Sequence, residues 1–156
     1  MHKAVKLLVS LLLPLVIGGI SGVLTAGAVT GWYTTLIQPS FNPPNWVFGP
    51  VWTLLYVLMG VSHYRIWTTD KTADRTGALR LFWLQLVLNF FWSLIFFGAG
   101  QITLALVEIL LLWICIVLMI RRFYSIDRIA AFINLPYLAW VSFATVLNAA
   151  YAWLNP

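Results

Sequence analysis

The chain has 156 residues, of which 62% are hydrophobic and only 8% are charged, and its mean hydropathy is +0.94. This composition excludes a soluble globular domain and is typical of an integral membrane protein. The formal net charge of +5 comes from residues that flank the apolar runs. It therefore indicates membrane topology and attraction to anionic lipid, and it argues against a nucleic-acid-binding surface.

Five apolar runs follow one another along the sequence, each close to the ~20 residues that a helix needs to cross the hydrocarbon core. They predict an all-α membrane protein in which one domain, residues 1–156, is a bundle of five transmembrane helices. The predicted helices cover residues 5–29, 46–67, 79–98, 102–120 and 129–153.

The first run has two interpretations. Its basic start and apolar residues 7–17 match a cleaved signal peptide. The apolar stretch continues to Leu24, however, which is longer than most signal peptides. Gly18, Gly22 and Ala26 also form a face of small residues that lets two helix backbones approach closely in lipid. These features favour a retained first helix.

The nine Lys and Arg residues all fall on one side of the membrane when the five spans alternate in direction. Positive residues are retained in the cytoplasm during insertion, so the N-terminus is predicted to be cytoplasmic if the protein lies in a plasma membrane. The nine are Lys3, Lys6, Arg65, Lys71, Arg75, Arg80, Arg121, Arg122 and Arg128.

The first connection, predicted over residues 30–45, differs from an ordinary solvated loop. Residues 31–46 contain three prolines, four aromatic residues and no charge. One interpretation is a semi-rigid lid over the mouth of the bundle, because proline restricts the segment and the aromatic side chains need a surface to pack on. The other is an interfacial segment whose Trp and Tyr lie at the level of the lipid headgroups.

Aromatic and amide side chains recur at helical spacing in the second, third and fifth spans, and they converge in the half of the bundle beneath this loop. An apolar ligand pocket needs such aromatic walls with a few amides. Hydrogen bonds between helices need the same residues, so both interpretations remain open. The stripes are Trp52, Tyr56 and His63; Gln85, Asn89, Trp92 and Phe96; and Trp140, Ala144, Leu147, Asn148 and Tyr151.

Glu108 is the only acid within a predicted span. It is interpreted as a structural hydrogen-bonding group, with a proton-coupling site or a cation site as alternatives. His63 has no second histidine within the membrane with which to hold a haem. The sequence contains no cluster with metal-ligand spacing, no phosphate loop and no catalytic triad. No metal or other cofactor is therefore expected.

Several separated motifs, in order between about residues 30 and 148, resemble the translocator protein family (TspO/MBR, the tryptophan-rich sensory proteins, related to the mitochondrial peripheral benzodiazepine receptor). They are Trp32-Tyr33, Leu36, Pro39, Phe41 and Pro43-Pro44; Phe48-Gly49-Pro50-Val51-Trp52 with Leu55-Tyr56; Trp83, Gln85-Leu86, Asn89, Trp92 and Phe96-Phe97; and Leu135-Pro136-Tyr137, Trp140, Phe143-Ala144 and Leu147-Asn148.

The resemblance implies a five-helix bundle, often a homodimer, whose first loop covers a pocket for protoporphyrin IX and other tetrapyrroles. Isoquinoline-carboxamide and benzodiazepine-type drugs are implied as further ligands. Some bacterial members are similar to slow photo-oxidative enzymes that degrade porphyrin, in which the tryptophans matching Trp52 and Trp140 are implicated as catalytic residues. The ligand-binding positions implied are Tyr33, Pro43, Trp52, Tyr56, Asn89, Trp92, Trp140, Ala144 and Asn148.

The chain departs from the family at the sterol motif, because no basic residue follows Tyr151. Sterol binding is therefore not expected. The sequence is similar to bacterial members of the family, which predicts a location in a bacterial membrane.

The function predicted is a receptor or regulator that binds tetrapyrroles and hydrophobic drug-like molecules, with weak photochemical turnover at most. The alternative is a transporter or carrier of porphyrin or another amphipathic molecule. Lipid is a further expected partner, and nucleic acid is not.

Overall fold

The computed structural model of the chain describes residues 2–70 and 72–156. Within those residues there are no strands, and five helical segments are long and apolar enough to cross a membrane. The predicted all-α, five-span architecture is therefore confirmed. The segments are α1 (Lys3–Thr30), α2 (Asn45–Trp67), α3 (Ala73–Ser93, continued by a π-helical turn over Leu94–Gly98), α4 (Ile102–Ile126), and a fifth span made of α5 (Arg128–Ile133) and α6 (Leu135–Leu154).

The helices extend beyond the apolar runs on the side opposite the first connection. Helix α3 begins at Ala73 rather than near residue 79, because the Thr72 hydroxyl accepts the backbone N–H of Arg75 at 3.1 Å and caps it. Helix α4 continues to Ile126 rather than ending near residue 120. Hydropathy marks where the hydrocarbon core ends, whereas backbone hydrogen bonding continues into the headgroup region.

The fifth span is divided near its start. Asp127 caps α5, since its Oδ1 accepts the N–H groups of Ile129 at 2.9 Å and Ala130 at 3.2 Å. The division follows Asn134, where Pro136 occupies the first turn of α6 and has no N–H to donate. Around the bundle, α1 packs on α2, α2 on α5, α6 and α5 on α4, α4 on α3, and α3 on α1.

The basic residues gather at one end of the bundle, which we call the charged side. Arg65 forms a bidentate pair with Asp127, with contacts of 2.8 and 3.1 Å, and Arg122 lies 3.8 Å from Asp74. Lys6 stacks over the ring of Trp67, 5.5 Å from its centroid. These contacts join the ends of all five spans at this side. Lys71, which the charge pattern also assigns there, lies outside the described residues.

The charged side is closely packed where α1 crosses α2. A Cβ at Gly60 would lie 2.7 Å from the carbonyl oxygen of Ser10, so only glycine permits this approach. His63 lies one turn further along α2, with its Nδ1 2.8 Å from the Ser10 hydroxyl and its ring 4.5 Å from that of Phe82. His63 is therefore part of the helix packing in this half.

Candidate functional site: two cavities beneath the first loop

The first connection crosses the opposite end of the bundle, which we call the loop side. It begins with a 3₁₀ turn over Trp32–Thr35. The Trp32 indole donates to the carbonyl of Phe97 at 2.8 Å, and the hydroxyl of Tyr33 lies 2.8 Å from that of Tyr151. Tyr33 is 3% exposed, whereas Trp46 is 75% exposed at the other end of the connection. The lid and the interfacial segment both stay predictions.

The C-terminal end of α6 holds the same loop further along. The side-chain carbonyl of Asn155 accepts the N–H of Ile37 at 2.9 Å, and its amide donates to the carbonyl of Ile37 at 3.1 Å. A single side chain thus satisfies both backbone groups of a loop residue. Phe41 adds an edge-to-face contact with Phe143, with ring centroids 6.4 Å apart. The loop is consequently attached to α6 at several points.

A cavity of about 520 Å³ lies on the loop side between α1, α2 and the end of α3, and we call it the α1 chamber. Ligand pockets of proteins usually measure about 300–1,000 Å³. Four of the residues predicted to bind ligand line this chamber, namely Tyr33, Trp52, Tyr56 and Trp92. The indole of Trp52 stacks on the ring of Tyr56 with centroids 5.6 Å apart, which gives the chamber a flat aromatic wall.

A second, much smaller cavity of about 20 Å³ lies among α2, α3 and α6, and we call it the central void. It has room for about one water molecule. Six predicted residues line it: Tyr33, Trp52, Trp92, Trp140, Ala144 and Asn148. The aromatic side chains that line both cavities, including Trp52 and Trp92, form a partition between them.

Two predicted residues line neither cavity. Pro43 lies half-buried in the first connection. Asn89 is buried beneath the chamber, where it accepts from the Tyr56 hydroxyl at 2.7 Å and donates to the Tyr137 hydroxyl at 3.1 Å. Tyr137 in turn donates to the Gln85 side chain at 2.8 Å. This chain of four residues links α2, α3 and α6 and fixes the Tyr56 ring, so Asn89 positions a wall of the chamber.

Asn148 also makes hydrogen bonds between helices. Its carbonyl oxygen accepts from the Trp92 indole at 3.1 Å, and its amide donates to the carbonyl of Ile102 at 3.0 Å. The amides of the polar stripes therefore join helices, as one of the two interpretations predicts. Trp140 differs: its indole nitrogen is buried and has no hydrogen-bonding partner in residues 2–70 or 72–156. A buried N–H group without a partner is unfavourable, so a hydrogen bond from this indole to a ligand or a water would be stabilising.

Helix α1 contributes a wall of the chamber that the sequence analysis does not predict. Gly18, Gly22 and Ala26 were interpreted only as a face for close helix approach, and all three line the chamber together with the buried Ser21 and Thr25. Gly18 does approach α2, since a Cβ there would lie 2.1 Å from the Tyr56 ring. Gly22 instead faces open space, with nothing within 4 Å. The spacing of the small residues was the available signal, but it does not distinguish a face that contacts another helix from a face that lines a cavity.

The electrostatic character of the chamber is neutral. Its described lining residues are aromatic, aliphatic, small or hydroxyl-bearing, with Asn45 at the loop-side end and without any Lys, Arg, His, Asp or Glu. A molecule in the chamber would be held by apolar contact, ring stacking and a few hydrogen bonds. The carboxylates of an amphipathic ligand would have to remain at headgroup level, near Thr30 and Asn45.

Glu108 does not behave as the structural hydrogen-bonding group that was expected. It is 8% exposed on α4, and neither carboxyl oxygen has a hydrogen-bonding partner among the residues that the structure describes. It also lines neither cavity. The expected structural hydrogen bond of Glu108 is therefore not found among the described residues.

Comparison with known proteins agrees with the five-span fold. The sequence model of the TspO/MBR family matches residues 10–154. The chain belongs to the TspO/MBR family. It is 42% identical over 150 residues to the "Tryptophan-rich protein TspO" of Archaeoglobus fulgidus, covering 96% of this chain and 97% of that protein.

Two further relatives come from a bacterium and from an animal. The "Tryptophan-rich protein TspO" of Chlorobaculum tepidum is 41% identical over 143 residues, covering 91% of this chain and 90% of that protein. The human "Translocator protein" is 42% identical over 122 residues, covering 75% of this chain and 70% of that protein. Family membership and the five spans identify a multi-pass integral membrane protein, and the names of these relatives support a receptor-type role.

Proposed function

We propose that this protein is a membrane receptor or regulator that binds protoporphyrin IX or a related tetrapyrrole beneath its first loop. The observation that carries the proposal is the α1 chamber, whose volume of about 520 Å³ and stacked Trp52–Tyr56 wall suit a flat apolar molecule. The same chemistry would accept isoquinoline-carboxamide and benzodiazepine-type drugs, which have aromatic rings and neutral acceptors. The central void would hold only a small group of such a ligand.

A fluorescence titration in the dark tests the binding. Purified protein in detergent is titrated with protoporphyrin IX, and we expect saturable quenching of tryptophan fluorescence at micromolar ligand. Replacing Trp52 by Phe, or Trp140 by Phe, should weaken binding. Trp153→Phe is the matched control, because Trp153 is 86% exposed and lines neither cavity. Absence of saturable binding to the unmodified protein would refute the proposal.

Illumination of the same samples in oxygen separates a receptor from an enzyme. Photo-oxidative degradation through Trp52 and Trp140 should remove the porphyrin absorption band only when light, oxygen and both tryptophans are present. Binding without loss of the band would leave a receptor or carrier.

A transporter or carrier is the second candidate, and Glu108 is the observation that favours it. Buried acids without partners in membrane spans commonly belong to proton or ion pathways. In liposomes with a pH gradient, coupled porphyrin uptake should disappear in Glu108→Gln while dark binding is retained. Unchanged uptake in this variant would remove the coupled-transport candidate.

We also propose that the charged side faces the cytoplasm of a bacterial plasma membrane, following the positive-inside rule.

We further propose that the protein forms a homodimer through the face of α3 that carries Leu84, Val87 and Phe91, which are 50%, 47% and 49% exposed. The small-residue face of α1 is a poorer candidate, since Gly18 already contacts Tyr56 within the chain. Cysteine crosslinking at Phe91 in membranes would test the dimer.

A further inference from the structure

The mouth of the α1 chamber lies along the sides of α1 and α2. Several of its lining residues are exposed on the outer surface of the bundle, among them Gly19, Gly22 and Thr30 on α1 and Gly49 and Thr53 on α2. From Gly19 to Thr30 a helix rises about 16 Å, at ~1.5 Å per residue. The opening therefore extends from the loop-side end of the helices towards the middle of the membrane.

The two helices touch below the mouth and separate along it. At Gly60 an added Cβ would meet the α1 backbone at 2.7 Å, and at Gly18 it would meet the Tyr56 ring at 2.1 Å. At Gly19, Gly22 and Gly49 an added Cβ would meet nothing within 4 Å. The two helices are therefore in contact at Gly60 and Gly18, whereas the chamber-lining Gly19, Gly22 and Gly49 have room for a side chain.

The side chains of the loop, by contrast, are hydrogen-bonded to the third and fifth spans. Among the described residues, the loop's side-chain hydrogen bonds outside the segment itself go to the end of α3, through Trp32 and Phe97, and to α6, through Tyr33–Tyr151 and the two bonds of Asn155 to Ile37. Opening a path through the loop would break these bonds. A path between α1 and α2 would break none of them.

We propose that the ligand enters the α1 chamber sideways, from the loop-side leaflet of the bilayer through the gap between α1 and α2, while the loop stays fastened to α6. The proposal rests on the proposed function, because it assumes that the chamber binds a flat amphipathic molecule such as protoporphyrin IX. Such a molecule partitions into the bilayer, where it meets the mouth directly. The loop then covers the chamber and need not open for each binding event.

Stopped-flow measurement of protoporphyrin IX binding in the dark tests the route, with the full chain in phosphatidylcholine nanodiscs. Gly22→Leu and Gly49→Leu each place a large side chain in the mouth from opposite helices. Gly27→Leu is the matched control, since Gly27 also faces open space but does not line the chamber. Asn155→Ala releases the loop from α6.

We expect the association rate to fall about tenfold or more in Gly22→Leu and Gly49→Leu and to stay unchanged in Gly27→Leu and Asn155→Ala. A rate that rises in Asn155→Ala and is unaffected by either mouth variant would place the route through the loop and overturn the proposal. Thermal melting of each variant checks folding, and having two mouth variants keeps the test valid if one does not fold. If the unmodified protein shows no saturable binding, the proposed function fails, and this inference fails with it.

Discussion

On the charged side, α1 and α2 meet backbone to backbone at Gly60, whereas on the loop side the same two helices separate around a cavity of about 520 Å³. The charged side adds a bidentate Arg65–Asp127 pair and a Ser62–Asn134 hydrogen bond between α2 and the fifth span. On the loop side, the Trp140 indole has no hydrogen-bonding partner among the described residues, and the loop is held by a few hydrogen bonds. We infer that the charged side carries most of the stability and that the loop side is less closely packed.

The largest effect is expected at the helix crossing. Gly60→Val would force a side chain into the backbone of Ser10 and Leu11, which lie 2.7 and 2.8 Å from the position of the new Cβ. We expect a loss of about 3 kcal/mol in the free energy of unfolding, or no folded protein. Thermal unfolding in detergent measures it. Gly27→Val puts the same side chain in open space, and equal destabilisation of both variants would contradict the comparison.

The second prediction concerns the hydrogen-bonded residues beneath the α1 chamber, between the loop side and the charged side. Asn89→Leu leaves the hydroxyl of Tyr56 without its acceptor, while Tyr137 keeps its bond to Gln85. We expect a loss of about 1–2 kcal/mol in stability. Porphyrin affinity should also fall, because the Tyr56 ring lines the chamber. A double-mutant cycle with Tyr56→Phe should give strongly non-additive effects. Additive effects would mean that the two side chains do not act together.

A smaller effect is expected for the ion pair at the charged side. Arg65→Ala removes both contacts with Asp127, the residue that caps α5, and we expect a loss of about 1 kcal/mol because the pair is only partly exposed. Arg122→Ala is the control. Its 3.8 Å contact with Asp74 is largely exposed, so the loss should stay below about 0.5 kcal/mol. A loss of porphyrin affinity in Arg65→Ala without a loss of stability would go against the assignment of roles to the two halves.

The smallest effect, and one of opposite sign, is expected at Glu108. Glu108 has no hydrogen-bonding partner in the part of the chain that the structure describes, and a buried carboxyl group of this kind reduces stability. Glu108→Leu should therefore raise the unfolding temperature slightly, corresponding to about 1 kcal/mol or less. Dark binding of porphyrin should not change, since Glu108 lines neither cavity. Destabilisation by leucine would indicate that the carboxyl group has a stabilising role that its surroundings do not explain.

The sequence was sufficient to predict the five spans, because each apolar run has the length that the hydrocarbon core requires. The extension of α3 to Ala73 was missed because hydropathy was used to place its start, although Thr72 is a recognisable cap. The aromatic residues beneath the loop could be located only through helical spacing and the family resemblance. Both put Trp52, Tyr56 and Trp92 together, and all three line the α1 chamber.

The cavity itself could not be predicted. Gly18 and Gly22 have the same spacing and the same lack of a side chain, yet Gly18 contacts Tyr56 and Gly22 faces open space. The difference depends on which side chains of other helices lie opposite each glycine, and that is a property of the packed bundle and not of any local pattern. For the same reason the sequence did not indicate that Glu108 has no hydrogen-bonding partner among the described residues, because partners on other helices depend on register and rotation.

Hydrogen exchange with and without saturating protoporphyrin IX, measured in the dark in nanodiscs, tests most directly whether the loop-side half is the half that binds. We expect slower exchange of backbone amides in residues 18–30 and 45–56, which border the α1 chamber. Residues 60–66 and 128–134 on the charged side should exchange at the same rate in both samples. Protection confined to the charged side, or no protection anywhere at saturating ligand, would contradict the assignment of the α1 chamber as the binding site.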